Sequence, residues 1–151
     1  MRLIAPVVIS ILGLLAYATG NYWTARPGQT VYEAAAPGDC DLATGPCTAV
    51  FPDGASIRLR FDADRLTPLL PLSTSAITSG IDVETVDIEF SGVDMNMGLI
   101  RQVLDRNTDG TFANHVTLPV CVRGSMQWHA YVTAHGNDAD YRASFLLEMR
   151  R

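Results

Sequence analysis

From residue 48 onward, hydrophobic residues recur at every second position, in short runs separated by Gly, Pro, Asn and Asp. Ile57, Leu59 and Phe61, for example, alternate with charged residues. Because successive side chains of a β-strand point to opposite faces, this alternation predicts strands with one buried face and one solvated face. Helical periodicity is nearly absent, so the pattern predicts an all-β domain.

The alternating runs have the number and spacing typical of an immunoglobulin-like β-sandwich of about seven to eight strands. The predicted strands are Thr48–Pro52, Ser56–Asp62, Leu66–Ser73, Ile81–Ser91, Leu99–Arg106, Thr111–Leu118, Met126–Ala134 and Asp140–Met149. A change of parity between Val83 and Val86 predicts a β-bulge near Glu84 and Thr85. A helical turn over Ile100–Leu104 is the alternative to a strand there.

The beginning of the chain has a different pattern. An uncharged apolar run extends from Leu3 to Ala18, behind Met1 and Arg2. The run is shorter than the about 20 residues that span a bilayer, but Tyr22 and Trp23 extend it as an interfacial aromatic pair. Ala16-Tyr17-Ala18 also offers small residues to a signal peptidase. Residues 1–23 are therefore predicted to be either a hydrophobic signal-anchor helix or a cleaved signal peptide.

Both alternatives export the remainder of the chain. Residues 24–39 are rich in Gly, Pro, Ala and polar residues, which predicts a linker. Residues 40–151 are predicted to be the exported β-sandwich domain. The expected location is the inner membrane, with a single amino-terminal anchor and the domain in the periplasm, or the periplasm alone if the segment is cleaved.

Composition narrows the classes of function. The chain has 151 residues, too few for two ordinary domains, and its 48% hydrophobic content excludes a disordered acidic protein. The net charge is −5, all eleven basic residues are Arg, and no basic run occurs, so a nucleic-acid partner is not expected. The sequence also lacks a nucleophile elbow, a zinc-protease motif and a phosphate-binding glycine loop, so an enzyme is not expected.

Three cysteines lie in the predicted exported part, where disulfides persist. Cys40 and Cys47 enclose a turn-forming hexapeptide, which favours a bridge between them over a bridge from either one to Cys121. If the local bridge forms, Cys121 is a remaining thiol that needs protection by burial, by a partner or by a metal. The alternative role for Cys121 is that of a small buried hydrophobic residue.

Two segments of the chain contain soft metal ligands. Met95 and Met97 lie in the first, between two glycines, and Cys121 and Met126 lie in the second. Thioether and thiolate sulfurs favour Cu(I) over zinc or magnesium. In an extended segment, side chains two residues apart point to the same side, so Met95 and Met97 would form a bidentate clip. The alternative is that both methionines continue an apolar face into the core.

The histidines are weaker candidates for the same metal site. His129 has the opposite parity to Met126, so in a regular strand the two side chains point to opposite faces. His115 alternates with Val116, which directs it towards solvent or the mouth of a site. His135 lies in a predicted turn and is expected at the surface.

The chain resembles the FixH/YtkA-like group of membrane-anchored bacterial proteins. The resemblance rests on the short amino-terminal segment, the small exported β domain and four short motifs: Gly92–Gly98, Asp109–Phe112, Leu118–Cys121 and Met126–Trp128. Several members of the group are associated with copper handling or with the assembly of haem-copper oxidases. The resemblance therefore implies Cu(I) as the cofactor and a respiratory oxidase or a copper-trafficking protein as the partner. It implies four candidate ligands, Met95, Met97, Cys121 and Met126.

The sequence thus predicts a membrane-tethered periplasmic copper(I)-binding protein, a chaperone or assembly accessory for a respiratory copper enzyme. The alternative is a metal-free periplasmic module that docks on a membrane complex. In that case, the methionines would belong to the core or to an adaptable contact surface. The mutual arrangement of the sulfur-containing side chains is the observation that separates the two hypotheses.

Overall fold

The computed structural model describes residues 30–62, 69–119 and 125–150. Within these ranges the chain forms β-strands and no helix, which confirms the predicted all-β domain. The strands are β1 (Thr30–Ala35), β2 (Cys47–Val50), β3 (Ser56–Asp62), β4 (Leu72–Ser79), β5 (Val83–Gly92), β6 (Leu99–Arg106), β7 (Phe112–Val116), β8 (Ser125–Gly136) and β9 (Ala139–Arg150). The predicted amino-terminal helix lies outside the described residues, and the described part contains no helix that is long and apolar enough to cross a membrane.

The described strands form one sheet in the order β1-β9-β8-β5-β6-β7-β4-β3-β2. All neighbouring pairs are antiparallel except β1 and β9, which are parallel. The terminal strands β1 and β2 lie against each other, so the sheet is nearly closed into a barrel. The prediction of two separate sheets, as in an immunoglobulin-like sandwich, thus differs from the observed architecture. The reason is β6, which pairs with β5 along Leu99–Leu104 and with β7 through Asp105 and Arg106, and so joins the two halves.

The core fills the inside of this sheet from the alternating positions that the sequence pattern predicts. Ile57, Leu59 and Phe61 of β3 are buried, and the charged residues between them are exposed. The largest fully buried side chains come from both halves of the sheet: Trp128, Phe90, Phe112, Phe145, Ile57, Leu59 and Ile88. Each such side chain contributes about 1.5–3 kcal/mol through the removal of apolar surface from water.

Several local predictions are confirmed. β3 and β6 have the predicted bounds, so the helical turn proposed for Ile100–Leu104 is wrong. The register between β5 and β8 shifts between Val83 and Thr85, as expected of the predicted bulge. Cys40 and Cys47 form the predicted disulfide, with a Cα–Cα distance of 5.8 Å. Neither of these cysteines is therefore available for a disulfide bond with Cys121.

Two predictions of strand position are wrong. The strand expected at Leu66–Ser73 is β4, which begins only at Leu72; residues 63–68 lie outside the described part. Leu69 has a positive φ of 64° in a turn, and Pro71 lacks the N–H that a central strand donates. The second error is that β1 lies within the segment predicted to be a linker. Its side chains are mostly exposed, so the hydrophobic pattern does not indicate a strand, and the strand forms through pairing with β9.

Candidate functional site

The methionine loop, residues 93–98, connects β5 with β6 and contains both members of the predicted clip. The chain bends at residues 93–95, so it is not the extended segment on which the clip was predicted. Met95 is 37% exposed, whereas Met97 is partly buried and packs against the core. The two side chains therefore lie in different surroundings, although they are two residues apart.

Met126 lies next to this loop at Gly92, the last residue of β5. A Cβ atom at Gly92 would lie 2.8 Å from Cε of Met126 and would overlap the backbone carbonyl oxygen of Met95. The N–H of Val93 donates to the carbonyl of Gln127 at 3.0 Å, which ties the beginning of the loop to β8. Glycine is required at position 92 because the loop and the Met126 methyl group together occupy the space of a side chain.

A fourth methionine, Met149, also lies at this end of the barrel. It stands opposite Met126 in the register between β8 and β9, and both residues are buried, with exposures of 3% and 4%. Sequence reasoning missed Met149 because it simply continues the apolar face of the alternating pattern in its strand and has no second sulfur-containing residue beside it. We call the region around Gly92, the methionine loop, Met126 and Met149 the sulfur end.

The polar residues of the loop have structural roles of their own. The Asn96 side-chain oxygen accepts a hydrogen bond from the N–H of Gly98 at 3.0 Å, and Gly98 has a φ of 77° that favours glycine. The loop encloses a shallow pocket of about 320 Å³, lined by Ser91, Asp94 and Met95 among others. The sulfur end therefore combines one accessible thioether with several buried ones around an ordered turn.

Cys121 lies outside the described residues, but the residues that flank its segment are described. β7 ends at Val116 and β8 begins at Ser125. Val116 lies at the end of β7 that is nearest the start of β6, because these strands are antiparallel, and Gly92 pairs with Trp128 near the start of β8. The flank on β8, Ser125, therefore lies at the sulfur end, next to Met126.

Neither of the two weaker candidate ligands lies among the buried methionines: His129 pairs with Ser91 at the sulfur end but faces outwards, and His115 lies elsewhere. Met126 is buried whereas His129 is half-buried on the outer face and stacks on Tyr131 with ring centroids 5.8 Å apart. This arrangement agrees with their predicted opposite parity. His115 is exposed and lines a different pocket of about 460 Å³, with Arg60 and Asp105. In the described part of the chain, no group of three His, Cys, Asp or Glu side chains is arranged to hold a metal ion.

The sequence did not indicate a second cluster, which we call the outer-face network. Asp87 lies on the outward side of β5 but is only 5% exposed. Nε and Nη2 of Arg101 donate to its two carboxylate oxygens at 3.0 and 2.9 Å, and Nε2 of His135 lies 2.6 Å from Oδ1. Nδ1 of His135 is 3.1 Å from Oδ1 of Asp140, a close ion-pair distance that lacks the alignment of a hydrogen bond.

The electrostatic surroundings keep Asp87 ionised. Burial alone would raise the pKa of this carboxyl group, but the hydrogen bonds and positive charge of Arg101 and His135 outweigh burial and lower it below its usual range. The same pairing raises the pKa of Arg101. Both ring nitrogens of His135 face carboxylates, so the imidazole is oriented as a bridge between β5 and β9.

Two expectations are corrected by this network. His135 was expected in a surface turn, but it belongs to β8 and its side chain is 27% exposed. Asp87 was expected on a solvated strand face, but residues from neighbouring strands cover it. The alternation of Asp87 with Val86 and Ile88 correctly predicts that it lies on the outer face of the sheet. Its burial comes from side chains on neighbouring strands, which the pattern of a single strand does not predict.

The sequence matches no model of a known protein family and no curated protein.

Proposed function

We propose that the protein is a membrane-tethered periplasmic copper(I)-binding protein, a chaperone or assembly accessory for a respiratory copper enzyme. The observation that carries this proposal is the close approach of Met126 to the methionine loop at Gly92. Methionine side chains from two separate segments of the sequence thus lie at the same end of the barrel, and soft donors of this kind favour Cu(I).

The donor set fits a monovalent soft ion. Met95 is exposed and accessible to an incoming ion, Met97 of the same loop packs against the core, and Met126 is buried beside Gly92. Methionine has three rotatable side-chain bonds and no branch, so its sulfur atom can turn towards a ligand without displacing the backbone. Cys121, four residues before the start of β8 at Ser125, would supply a thiolate as a further donor.

The position of the first described strand supports a role in transfer to a partner. β1 begins at Thr30, in register with Ala139 at the start of β9 and close to the outer-face network. Trp128, opposite Gly92, lies seven residues along β8 from His135, a distance of about 23 Å in a strand. An anchor that precedes β1 would therefore leave the sulfur end directed away from the point of attachment.

The test is competition of the full-length protein against a chromophoric Cu(I) chelator. We expect the wild type to withdraw Cu(I) from the chelator and the double variant Met95→Leu/Met97→Leu to bind at least about tenfold more weakly, because leucine keeps the volume and removes the sulfur. His115→Gln is the matched control, since this residue lies in a different pocket, and it should bind as the wild type does. Equal and weak Cu(I) binding by all three proteins would contradict the proposed metal site.

Two further variants define the ligand set. Cys121→Ser tests the thiolate, and Met126→Leu tests the methionine that approaches Gly92. Loss of affinity in either variant, with the fold retained by circular dichroism, would assign that residue to the site. If only Met95→Leu had an effect, binding at the surface through one thioether would replace the proposed cluster.

A metal-free interaction module is the second candidate, and one observation favours it. Large apolar side chains are exposed beside the sulfur end, including Leu99 at 68%, Leu146 at 49% and Val93 at 41%. Exposed apolar groups close together are typical of contact surfaces. In this case Met95 would be part of the adaptable contact, and the variant Met95→Leu/Met97→Leu would leave partner binding nearly unchanged.

A further inference from the structure

The four methionines of the sulfur end differ in their exposure to solvent. Met95 is 37% exposed, Met97 is partly buried against the core, and Met126 and Met149 are 4% and 3% exposed. An oxidant must reach a thioether sulfur to react with it, so reaction at a buried methionine requires the structure to open. Met126 and Met149 lie on β8 and β9, which pair with each other along most of their length, and core strands of this kind open rarely. Met95 is therefore the methionine that a dissolved oxidant reaches in the folded protein.

The backbone around Met95 is positioned by contacts that do not involve its side chain. Before it, the N–H of Val93 donates to a carbonyl of β8, and after it, Oδ1 of Asn96 accepts from the N–H of Gly98. The carbonyl oxygen of Met95 itself packs against Gly92. Oxidation adds one oxygen atom to the sulfur of a long, unbranched side chain. The loop can therefore keep its conformation when Met95 is oxidised.

The same reaction at Met126 would disturb the core. Cε of Met126 occupies the space that a side chain at Gly92 would take, and Met149 stands opposite it in the strand register. A sulfoxide oxygen is a polar acceptor, and its burial without a hydrogen-bond donor is unfavourable. The sulfur end thus contains one methionine whose oxidation the fold tolerates and two whose oxidation the fold opposes.

We propose that Met95 is a site of reversible oxidation to methionine sulfoxide by a peroxide, and that this modification weakens Cu(I) binding at the sulfur end. The second part rests on the function proposed above. In the reaction, Sδ of Met95 attacks one oxygen of hydrogen peroxide, so that an S–O bond forms as the O–O bond breaks. The other oxygen takes up the proton of the first and leaves as water. The thioether loses two electrons, and the peroxide gains them.

The modification changes the donor that Met95 offers to a metal ion. A thioether sulfur is soft, whereas the sulfoxide is polar and presents a hard oxygen, and Cu(I) prefers soft donors. A methionine sulfoxide reductase reverses the change: a dithiol is oxidised to a disulfide, and the oxygen atom leaves as water. The sulfur end would therefore hold Cu(I) under reducing conditions and bind it more weakly after exposure to peroxide.

The first test treats the copper-free, full-length protein with hydrogen peroxide and follows each methionine by peptide mass spectrometry. We expect Met95 to gain one oxygen atom at least about tenfold faster than Met126 and Met149, because these two react only when the strands open. In urea-unfolded protein all three should react at similar rates, which would show that the fold sets the order. Similar rates in the folded protein would overturn the assignment of Met95 as the modification site.

Competition of the oxidised protein against the Cu(I) chelator is the second readout. We expect oxidation of Met95 to weaken Cu(I) binding by about tenfold, and treatment with the reductase to restore it. Met95→Leu is the matched control, because leucine cannot be oxidised: it should bind Cu(I) more weakly from the start and lose no further affinity in peroxide. An equal loss in this variant would assign the effect to another group, such as the thiol of Cys121, and would overturn the inference.

The two readouts separate this inference from the proposed function. Equally tight Cu(I) binding by the reduced and the oxidised protein would overturn the effect of oxidation and leave the copper function intact. Absence of Cu(I) binding by the reduced wild type would contradict the copper function and the effect of oxidation together. The order of oxidation in the mass spectra decides in both cases whether Met95 is the modification site.

Discussion

The ladder between β5 and β8 carries two clusters that are held together by different forces. In the outer-face network, Asp87 and three further ionisable side chains lie within 3.1 Å of their partners. At the sulfur end, a methyl group and a backbone carbonyl approach a residue that has no side chain, Gly92. Charge and direction define the first cluster, whereas shape and volume define the second.

This difference suggests how the two clusters divide their roles. The carboxylate of Asp87 accepts two hydrogen bonds from Arg101 and lies 2.6 Å from Nε2 of His135, so it ties β5 to β6 and β8 in a fixed register. Thioethers impose no such directions and adapt to what they contact. We therefore assign a structural role to the outer-face network, and the proposed copper site remains at the sulfur end.

The largest effect is expected from Asp87→Asn. The amide keeps the volume but removes the negative charge that faces Arg101 and His135, so both side chains lose the buried ionic group that they contact. We expect the free energy of unfolding to fall by about 2–3 kcal/mol, less than for a fully buried pair because Arg101 is half exposed. Urea denaturation gives this quantity.

Asp62→Asn is the matched control for this change. Asp62 also pairs with an arginine, Arg60 at 3.2 Å, but both side chains are more than half exposed. The control should change stability by no more than about 0.5 kcal/mol. Equal losses in the two variants would mean that burial of Asp87 contributes nothing to the network.

Gly92→Ala tests the sulfur end and is expected to have the next largest effect. The added Cβ would overlap the Met95 carbonyl and approach the Met126 methyl group, so the loop must move, at a cost of about 1–2 kcal/mol. Gly38→Ala is the control, since nothing lies within 4 Å of a Cβ at that position. The double variant Gly92→Ala/Met126→Ala should relieve only the methyl contact. Full recovery there would show that the carbonyl contact is unimportant.

The sequence located those strands whose side chains alternate strictly. β3 and β6 have the predicted bounds because apolar and polar residues alternate along them in step with the sheet. The sequence did not predict β1 because its side chains are mostly exposed and show no alternation of buried and exposed positions. Its conformation depends on its pairing with β9. The continuity of the sheet through β6 likewise depends on pairing at Asp105 and Arg106, which no single strand encodes.

The sequence likewise predicted some features of the candidate site and missed others. The sequence identified the sulfur-containing residues by their chemistry, and the opposite parity of Met126 and His129 follows from the two-residue repeat. The contact at Gly92 was not foreseen because it arises where a loop folds back on the strand before it. The partners of Asp87 lie 14 and 48 residues further along the chain, so its burial follows only from the register.

Two histidines on β8 provide a further comparison of the two clusters. The expected changes in the free energy of unfolding are smaller than those for Asp87→Asn and Gly92→Ala. His135 belongs to the outer-face network, whereas His129 stacks on Tyr131 nearer the sulfur end. We expect His135→Gln to lower the free energy of unfolding by about 1 kcal/mol and His129→Gln to change it by less than half of that. Thermal or urea unfolding of both variants checks the difference. A larger loss in His129→Gln would reverse the assignment of structural roles.

The smallest expected effect is a change of stability at acidic pH, and we expect it only for the outer-face network. Because Arg101 and His135 lower the pKa of Asp87 in the folded state below the unfolded value of about 3.9, its ionisation stabilises the fold above that pH. This contribution is lost as the pH falls from about 4 through the folded pKa. The stability difference between the wild type and Asp87→Asn should therefore narrow between about pH 5 and pH 3, whereas Gly92→Ala should keep a constant difference from the wild type. Urea unfolding at both values measures these differences, and a difference for Asp87→Asn that stays constant down to pH 3 would contradict the electrostatic account of the network.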